Sequence, residues 1–196
     1  MIDYNKYTYN GWGLSKEALQ TLEKLINDNS LTSAVEFGSG QSTHFLEDIG
    51  IDYVSFDDDT YYAAPFENVI ISDLKELDDS SFSKVINNEV EYVDVNLNFK
   101  RPQRKHTRQR NCFYTIQKDL ILPKFDLVIL DGPNGNGRSL AYNFLKPYLL
   151  PTSFILIDDY THYPFEDHLK LTYPNSEIVH EYKVGRDEWC IYKINI

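Results

Sequence analysis

The chain has 196 residues, 42% hydrophobic and 25% charged, the balance of a folded protein with room for one core. Asp and Glu number 30 against 19 Lys and Arg, and the formal net charge of -11 argues against broad, sequence-independent binding to nucleic acid. No stretch approaches the roughly 18 to 20 apolar residues that span a bilayer. The N-terminal run lacks the basic start and apolar core of a signal peptide, and Cys112 and Cys190 stand apart with no metal-ligand spacing, so a soluble cytoplasmic protein is expected.

Residues 1–13 are rich in Tyr, Asn and Gly and read as an irregular arm. Ser15 is an N-cap signal, and Leu19, Leu22, Leu25 and Ile26 recur on one helical face until Asn27–Ser30 breaks it. Ser33–Phe37 is a short β-type run that ends in Gly38-Ser39-Gly40. A helix is predicted through Thr43, Phe45 and Leu46 to Gly50. A second strand follows over 51–56, closed by Asp57-Asp58-Asp59. Further on, 68–72 and 90–97 both read as strands. The cleaner alternation places the third main strand at 90–97, with helix within 74–88. Residues 98–112 read as a loop and 113–120 as a helix. Phe125–Leu130 is the strongest buried strand and ends at Asp131-Gly132-Pro133. Arg138–Leu149 has helical spacing. Ser153–Ile157 is another buried strand, ending at Asp158-Asp159, and a short helix is predicted near 164–171. The last strands, 177–183 and 188–195, flank the hairpin signal Val184-Gly185-Arg186-Asp187.

Short, nearly continuous apolar strands alternating with helices predict one α/β domain over 1–196. Its sheet is mainly parallel, covered on both faces, with one antiparallel strand added by the closing hairpin. In such sheets ligands sit beyond the carboxyl ends of the strands, at the topological switch point. Three strand ends carry polar clusters. Gly38 and Gly40 allow a tight turn and close backbone approach, with the free N–H groups of the next helix behind them. Thr43 stands where a dinucleotide fingerprint has its third glycine. Asp57, 17 residues after Gly40, is placed to accept from ribose hydroxyls, or else belongs to a solvated acidic turn with Asp58 and Asp59.

Glu36-x-Gly38-x-Gly40-x-Ser42-Thr43, followed by an acidic end of the second strand, resembles class I S-adenosylmethionine-dependent methyltransferases. The resemblance covers nearly the whole chain, from Gly11-Trp12-Gly13-Leu14-Ser15 in the arm to the terminal hairpin. It implies a Rossmann-like, doubly wound sheet of seven strands. It also implies a cofactor site of Trp12, Glu36, Gly38, Ser39, Gly40, Ser42, Thr43, Asp57, Asp58 and Asp131. Asp94 and Asn96 are the candidates for the adenine contact.

Asp131, Asp158 and Asp159 end neighbouring strands in that fold. Three carboxylates so placed repel unless a cation lies between them, and Mg²⁺ takes oxygen ligands of this kind. Ile157-Asp158-Asp159-Tyr160 is similar to metal-dependent O-methyltransferases that act on sugars of natural products. That similarity implies methylation of a carbohydrate hydroxyl, activated and aimed by the metal. In such enzymes a Lys, His or Asp shortly after the fourth-strand aspartate accepts the proton. Here Pro133, Asn134, Gly135 and Asn136 stand there instead, so His162, or Asp131 itself, is the candidate base. Arg138 is a candidate for an anionic acceptor group, and Tyr160 and Tyr163 for packing on a sugar ring.

Residues 100–110 hold six of the 19 basic residues. Arg104 and Arg108 in that stretch are candidates for a phosphorylated, nucleotide-linked or uronate-bearing acceptor. A solvated loop that balances nearby acidic surface is the alternative. The leading expectation is therefore a Mg-assisted carbohydrate O-methyltransferase. A metal-independent enzyme for another small molecule, or a cofactor- or glycan-binding module without turnover, stands beside it.

Overall fold

The structure, a computed structural model, describes residues 2–9, 13–95 and 110–196. The Ser15 hydroxyl accepts from the Ala18 N–H at 3.2 Å and starts α1 (Lys16–Asn29), which ends at Ser30 in the left-handed region, φ 54°. Its buried face is the predicted stripe with Ala18 added. There follow β1 (Ser33–Phe37), α2 (Gln41–Ile49), β2 (Asp52–Asp57) and β3 (Val69–Ile71). No helix joins β2 to β3. Instead Asp59 gathers the connection: its side chain accepts from the Tyr61 N–H, and its carbonyl from the N–H groups of Tyr62 and Ala63.

Next come β4 (Leu74–Glu76), α3 (Asp79–Ile86) and β5 (Cys112–Tyr114), where β4 and β5 form a separate antiparallel pair. The chain continues through β6 (Phe125–Leu130), α4 (Leu140–Leu145), β7 (Leu149–Asp158), α5 (Phe165–Thr172), β8 (Glu177–Val184) and β9 (Asp187–Asn195). The seven-stranded sheet has the order β3-β2-β1-β6-β7-β9-β8, parallel except where β9 runs antiparallel to both neighbours. This is the expected doubly wound architecture with its terminal hairpin. The order reverses between β1 and β6, so the switch point lies there.

The alternation of side chains makes two cores. Ala34, Leu127, Ile129, Phe154 and Leu156 pack under α1 and α2 on one face. Val35, Phe37, Val128, Leu130, Ile155 and Ile157 face α3, α4, α5 and the β4–β5 pair on the other.

Three expectations are corrected. The third main strand is 69–71; of 90–97, the described residues 90–95 form no strand, and 96 and 97 lie outside the described residues. The alternation at 90–95 serves a turn instead, because Tyr92 gives its N–H to the Asn143 side chain at 2.7 Å and its hydroxyl to the Tyr114 carbonyl at 2.7 Å. Residues 113–120 are not helical. Cys112-Phe113-Tyr114 pairs with β4, as its aromatic composition favours, and β4 likewise takes the start of the predicted helix 74–88. The helix predicted over 138–149 is broken into α4 between 3₁₀ turns at 136–139 and 146–148, and β7 begins at Leu149.

The turn before α4 lies hard against β5. A methyl group on Gly137 would lie 1.7 Å from the Cys112 carbonyl oxygen, a backbone atom that cannot rotate away. Gly137→Ala is expected to lower stability by at least about 2 kcal/mol in urea unfolding. A midpoint equal to wild type contradicts this packing.

Candidate active site

Phe56, Phe37, Leu130 and Ile157 stand in one register row across β2, β1, β6 and β7. One position further, Asp57, Gly38, Asp131 and Asp158 reach the carboxyl edge together. Residues 120 apart in the chain (Gly38 and Asp158) thus reach the same edge, with one strand between them, because the strands are parallel and in register.

At the switch point two backbones touch. The Gly38 N–H donates to the Phe56 carbonyl at 2.9 Å, and the N–H groups of Asp131 and Gly132 both donate to the Phe37 carbonyl, at 3.0 and 2.5 Å. A side chain on Gly38 (φ +95°) would meet the Gly132 nitrogen at 2.6 Å, so both positions must lack one. Thr43, in the first turn of α2, accepts from the Gly40 N–H at 2.8 Å and donates to Glu36 Oε2 at 2.6 Å. Ser55 donates to the same carboxylate oxygen at 2.6 Å. Glu36 Oε1 is buried and takes no hydrogen bond from a described residue. Burial pushes the Glu36 carboxyl up to about 7, against the hydroxyls of Ser42, Ser55 and Thr43. Asp57 accepts from the Ser39 N–H through one oxygen and the Asp59 N–H through the other, at 2.9 and 2.8 Å. Burial raises its pKa in spite of them. A carboxylate has lone pairs beyond these two, so Asp57 keeps capacity for a ligand hydroxyl.

Asp131, Asp158, Asp159 and His162 line one cavity of about 960 Å³, together with Arg138 and Asn134, the arm residues Tyr9, Gly13 and Ser15, and hairpin residues 185–188. Of the predicted acidic strand ends, Asp131, Asp158 and Asp159 share this wall, and Asp57 is not on it. Arg138 is 5% exposed and fixed from two sides: its Nε donates to the Pro133 carbonyl and one Nη to the Asp158 carbonyl, both at 2.8 Å. Its guanidinium faces the carboxyls of Asp131 and Asp158, which are hydrogen-bonded to each other. Burial raises the pKa of both and the Arg138 charge pulls both back; the Asp131 charge raises Asp158 further, while the hydrogen bond from Asp158 lowers Asp131. His162 is brought in by a turn in which its N–H donates to the Asp159 carbonyl at 3.0 Å. Its ring lies between Asp159 Oδ2 and Glu188 Oε1, each 3.6 Å away.

Among the described residues, no group of three or more His, Cys, Asp or Glu is arranged to hold a metal ion. Asp159 approaches His162 at 3.6 Å. The paired carboxyls of Asp131 and Asp158 nevertheless fit Mg²⁺ in kind, since that ion needs only one or two carboxylates beside water and substrate oxygens.

The other predicted residues fall as follows. Ser42 is buried, Ser39 Oγ accepts from the Ala64 N–H at 2.8 Å, and Asp58 is half-buried beside Asp57. The Tyr160 hydroxyl donates to Glu181, and Tyr160 is not on the cavity wall. Asp94 pairs with Lys118. Trp12, Asn96, Arg104 and Arg108 lie outside the described residues. Sequence reasoning missed Asn134, Arg186, Asp187 and Glu188 as cavity residues. The hairpin signal at 184–187 marked a turn, but nothing local says that this turn folds over the strand ends.

No family model matches the chain, and no curated protein matches it in sequence. Solved structures do resemble it. The O-methyltransferase TomG of Streptomyces achromogenes, involved in tomaymycin synthesis and solved with S-adenosylmethionine, superposes with a TM-score of 0.54 at 11% identity, over 95% of this chain and 83% of that one. The O-methyltransferase of Bacillus cereus, solved with S-adenosylhomocysteine, gives 0.52 at 12%, over 94% and 84%. The 16S rRNA N2 G1207 methyltransferase RsmC of T. thermophilus gives 0.50 at 12%, over 90% of this chain and 41% of that one. The fold is that of the class I S-adenosylmethionine-dependent methyltransferases.

Glu36 offers a test of the buried edge. Its carboxyl is raised from 4.5 to about 7, so its contribution is fully present below the lower value and is lost as pH rises through the higher. Wild-type thermal stability is expected to fall over that interval relative to Glu36→Gln. Parallel melting curves across it contradict the burial.

Proposed function

We propose that this chain is an S-adenosylmethionine-dependent O-methyltransferase whose acceptor is a polyhydroxylated, carbohydrate-like molecule, with Mg²⁺ assisting. The observation that carries the reading is a single cavity in which Asp131, Asp158, Asp159 and His162 meet beside the switch point of a methyltransferase fold.

The edge of β1 and β2 suits the cofactor. Gly38 and Gly132 leave the backbone bare, and a methyl group on Gly40 would meet nothing within 4 Å. Glu36 Oε1 is a buried acceptor without a donor among the described residues. Asp57 holds the second strand end for the ribose. When bound, S-adenosylmethionine supplies an electrophilic methyl group that an acceptor oxygen displaces in line from the sulfonium. The chain's part is to hold that oxygen in place and take its proton. Asp131 and Asp158 would hold Mg²⁺, which lowers the pKa of a hydroxyl bound to it. His162, on the same wall, takes the proton, and Asp159 and Glu188 steady the imidazolium on either side.

The wall favours a neutral or cationic acceptor over an anionic one. Among the described residues of the wall, Asp131, Asp158, Asp159, Asp187 and Glu188 stand with the two arginines Arg138 and Arg186; Arg138 is already committed, and Lys183 offsets Glu188 alone. Aminosugars and neutral sugars fit this balance. The expected anionic acceptor rests instead on Arg104 and Arg108, outside the described residues.

Calorimetry should show S-adenosylmethionine binding to the wild type, and labelled donor should pass its methyl group to sugar acceptors. Asp131→Asn is expected to lower turnover by at least about a hundredfold, and EDTA to lower it reversibly. Gly40→Ala should melt like the wild type yet bind the cofactor more weakly, because the added methyl enters the open cradle. A folded wild type that binds no cofactor overturns the reading. Binding without transfer to any acceptor leaves a binding module.

A further inference from the structure

Tyr114 is a buried phenol with no task in the site described above. It ends β5, outside the main sheet, yet its ring packs on Phe37 of β1 and Phe56 of β2, with centroids 5.7 and 6.1 Å away. The ring runs toward the carboxyl edge, and its hydroxyl reaches the contact between the two glycines. A methyl group on Gly132 would lie 2.7 Å from the Tyr114 hydroxyl oxygen and 2.8 Å from the Gly38 Cα. Three groups therefore meet at the switch point: two bare backbones and one phenol.

Tyr114 is 1% exposed, and burial and nearby charges, with no hydrogen bond among them, are what act on its hydroxyl. Other buried phenols divide: the Tyr142 hydroxyl has no partner among the described residues, while two others are paired. The Tyr92 hydroxyl donates to the Tyr114 carbonyl at 2.7 Å, and the Tyr173 hydroxyl to the Tyr142 carbonyl at 2.9 Å. A buried phenol ordinarily finds a partner. The charges around this one are the carboxylates of Asp57, Asp58 and Asp131 and the guanidinium of Arg138. Burial and the carboxylates hold its proton on well beyond the usual tyrosine range, so it can only act as a neutral hydroxyl.

We propose that the Tyr114 hydroxyl is a cofactor-binding donor that hydrogen-bonds an acceptor atom on the adenosyl moiety of S-adenosylmethionine. The proposal rests on the cofactor reading above. The adenosyl half is selected on two grounds. Ribose oxygens and adenine nitrogens accept hydrogen bonds and the sulfonium and the ammonium do not; the methionyl carboxylate accepts too, but the carboxylates of Asp57, Asp58 and Asp131 around this hydroxyl repel it. The ring also lies against Phe56, directly before the carboxylate of Asp57 that ends the same strand. Gly132 then has a second reason to lack a side chain: a methyl group there would close the gap through which the hydroxyl faces the cradle.

Tyr114→Phe removes the hydroxyl and keeps the ring. The ligand-free variant should melt at the wild-type temperature, since the hydroxyl has no partner among the described residues to lose. In calorimetry its dissociation constants for S-adenosylmethionine and S-adenosylhomocysteine should both rise, by between about threefold and tenfold. The two factors should agree, and 5′-methylthioadenosine, which keeps the nucleoside and lacks the carboxylate, should show the same one. Unchanged constants for the variant, with a wild type that binds, overturn this proposal alone. A loss confined to one ligand overturns the adenosyl assignment. A wild type that binds neither ligand overturns the cofactor reading, and this proposal with it.

Discussion

Gly38 against Gly132 is the contact on which the rest of the edge depends. It lies where the strand order reverses, and it lets the turn after β1 and the turn after β6 share the Phe37 carbonyl. A side chain at either position would force the two turns apart. With them apart, Asp57 and Asp131 would no longer flank one surface, and the phenol of Tyr114 would face a side chain. The parallel register does the remaining placement. Once four strands are aligned on Phe56, Phe37, Leu130 and Ile157, the next residue of each must emerge on the same edge.

Carboxylates crowd that edge, and the protein handles them in three ways. Glu36 is buried among hydroxyls of α2 and β2, and tolerates the burial by holding a proton far more readily than an exposed glutamate. Asp131 and Asp158 share a hydrogen bond beside a guanidinium that two backbone carbonyls lock in place. Glu188, also buried, is met by Lys183 at 3.0 Å and by the Thr161 hydroxyl. The first arrangement favours a neutral carboxyl, and the other two keep negative charge near the cavity without leaving it uncompensated. Arg138 thus belongs to the wall. Its sequence position, at the start of a predicted helix, fits an exposed side chain equally well, and only the cis Gly132-Pro133 turn and β7 together show it enclosed.

Most of the sheet was legible because its strands are buried on both faces. Runs such as Phe125–Leu130 and Ser153–Ile157 have no competing reading, and their ends mark the site directly. The middle of the chain was not. Val90–Leu97 alternates like a strand, but Tyr92 buries its ring through a turn held by Asn143, an interaction 51 residues away in sequence. Val69–Ile71 is only three residues long and has no periodicity to read, yet it is one of the two edge strands. The aromatic run Cys112–Tyr114 finds its partner in Leu74–Glu76, again far off in sequence. The same reason hid Tyr114 and the hairpin residues 186–188. Their places in the site come from tertiary packing, while Gly38, Asp57, Asp131 and Asp158 come from strand ends.

A crystal structure of the protein grown with S-adenosylhomocysteine tests the central claim most directly. The account predicts density for the nucleoside across the Gly38–Gly132 junction, its ribose on Asp57 and its sulfur turned toward Asp131. A ligand bound on another face, or an edge that stays empty at saturating ligand, would contradict it.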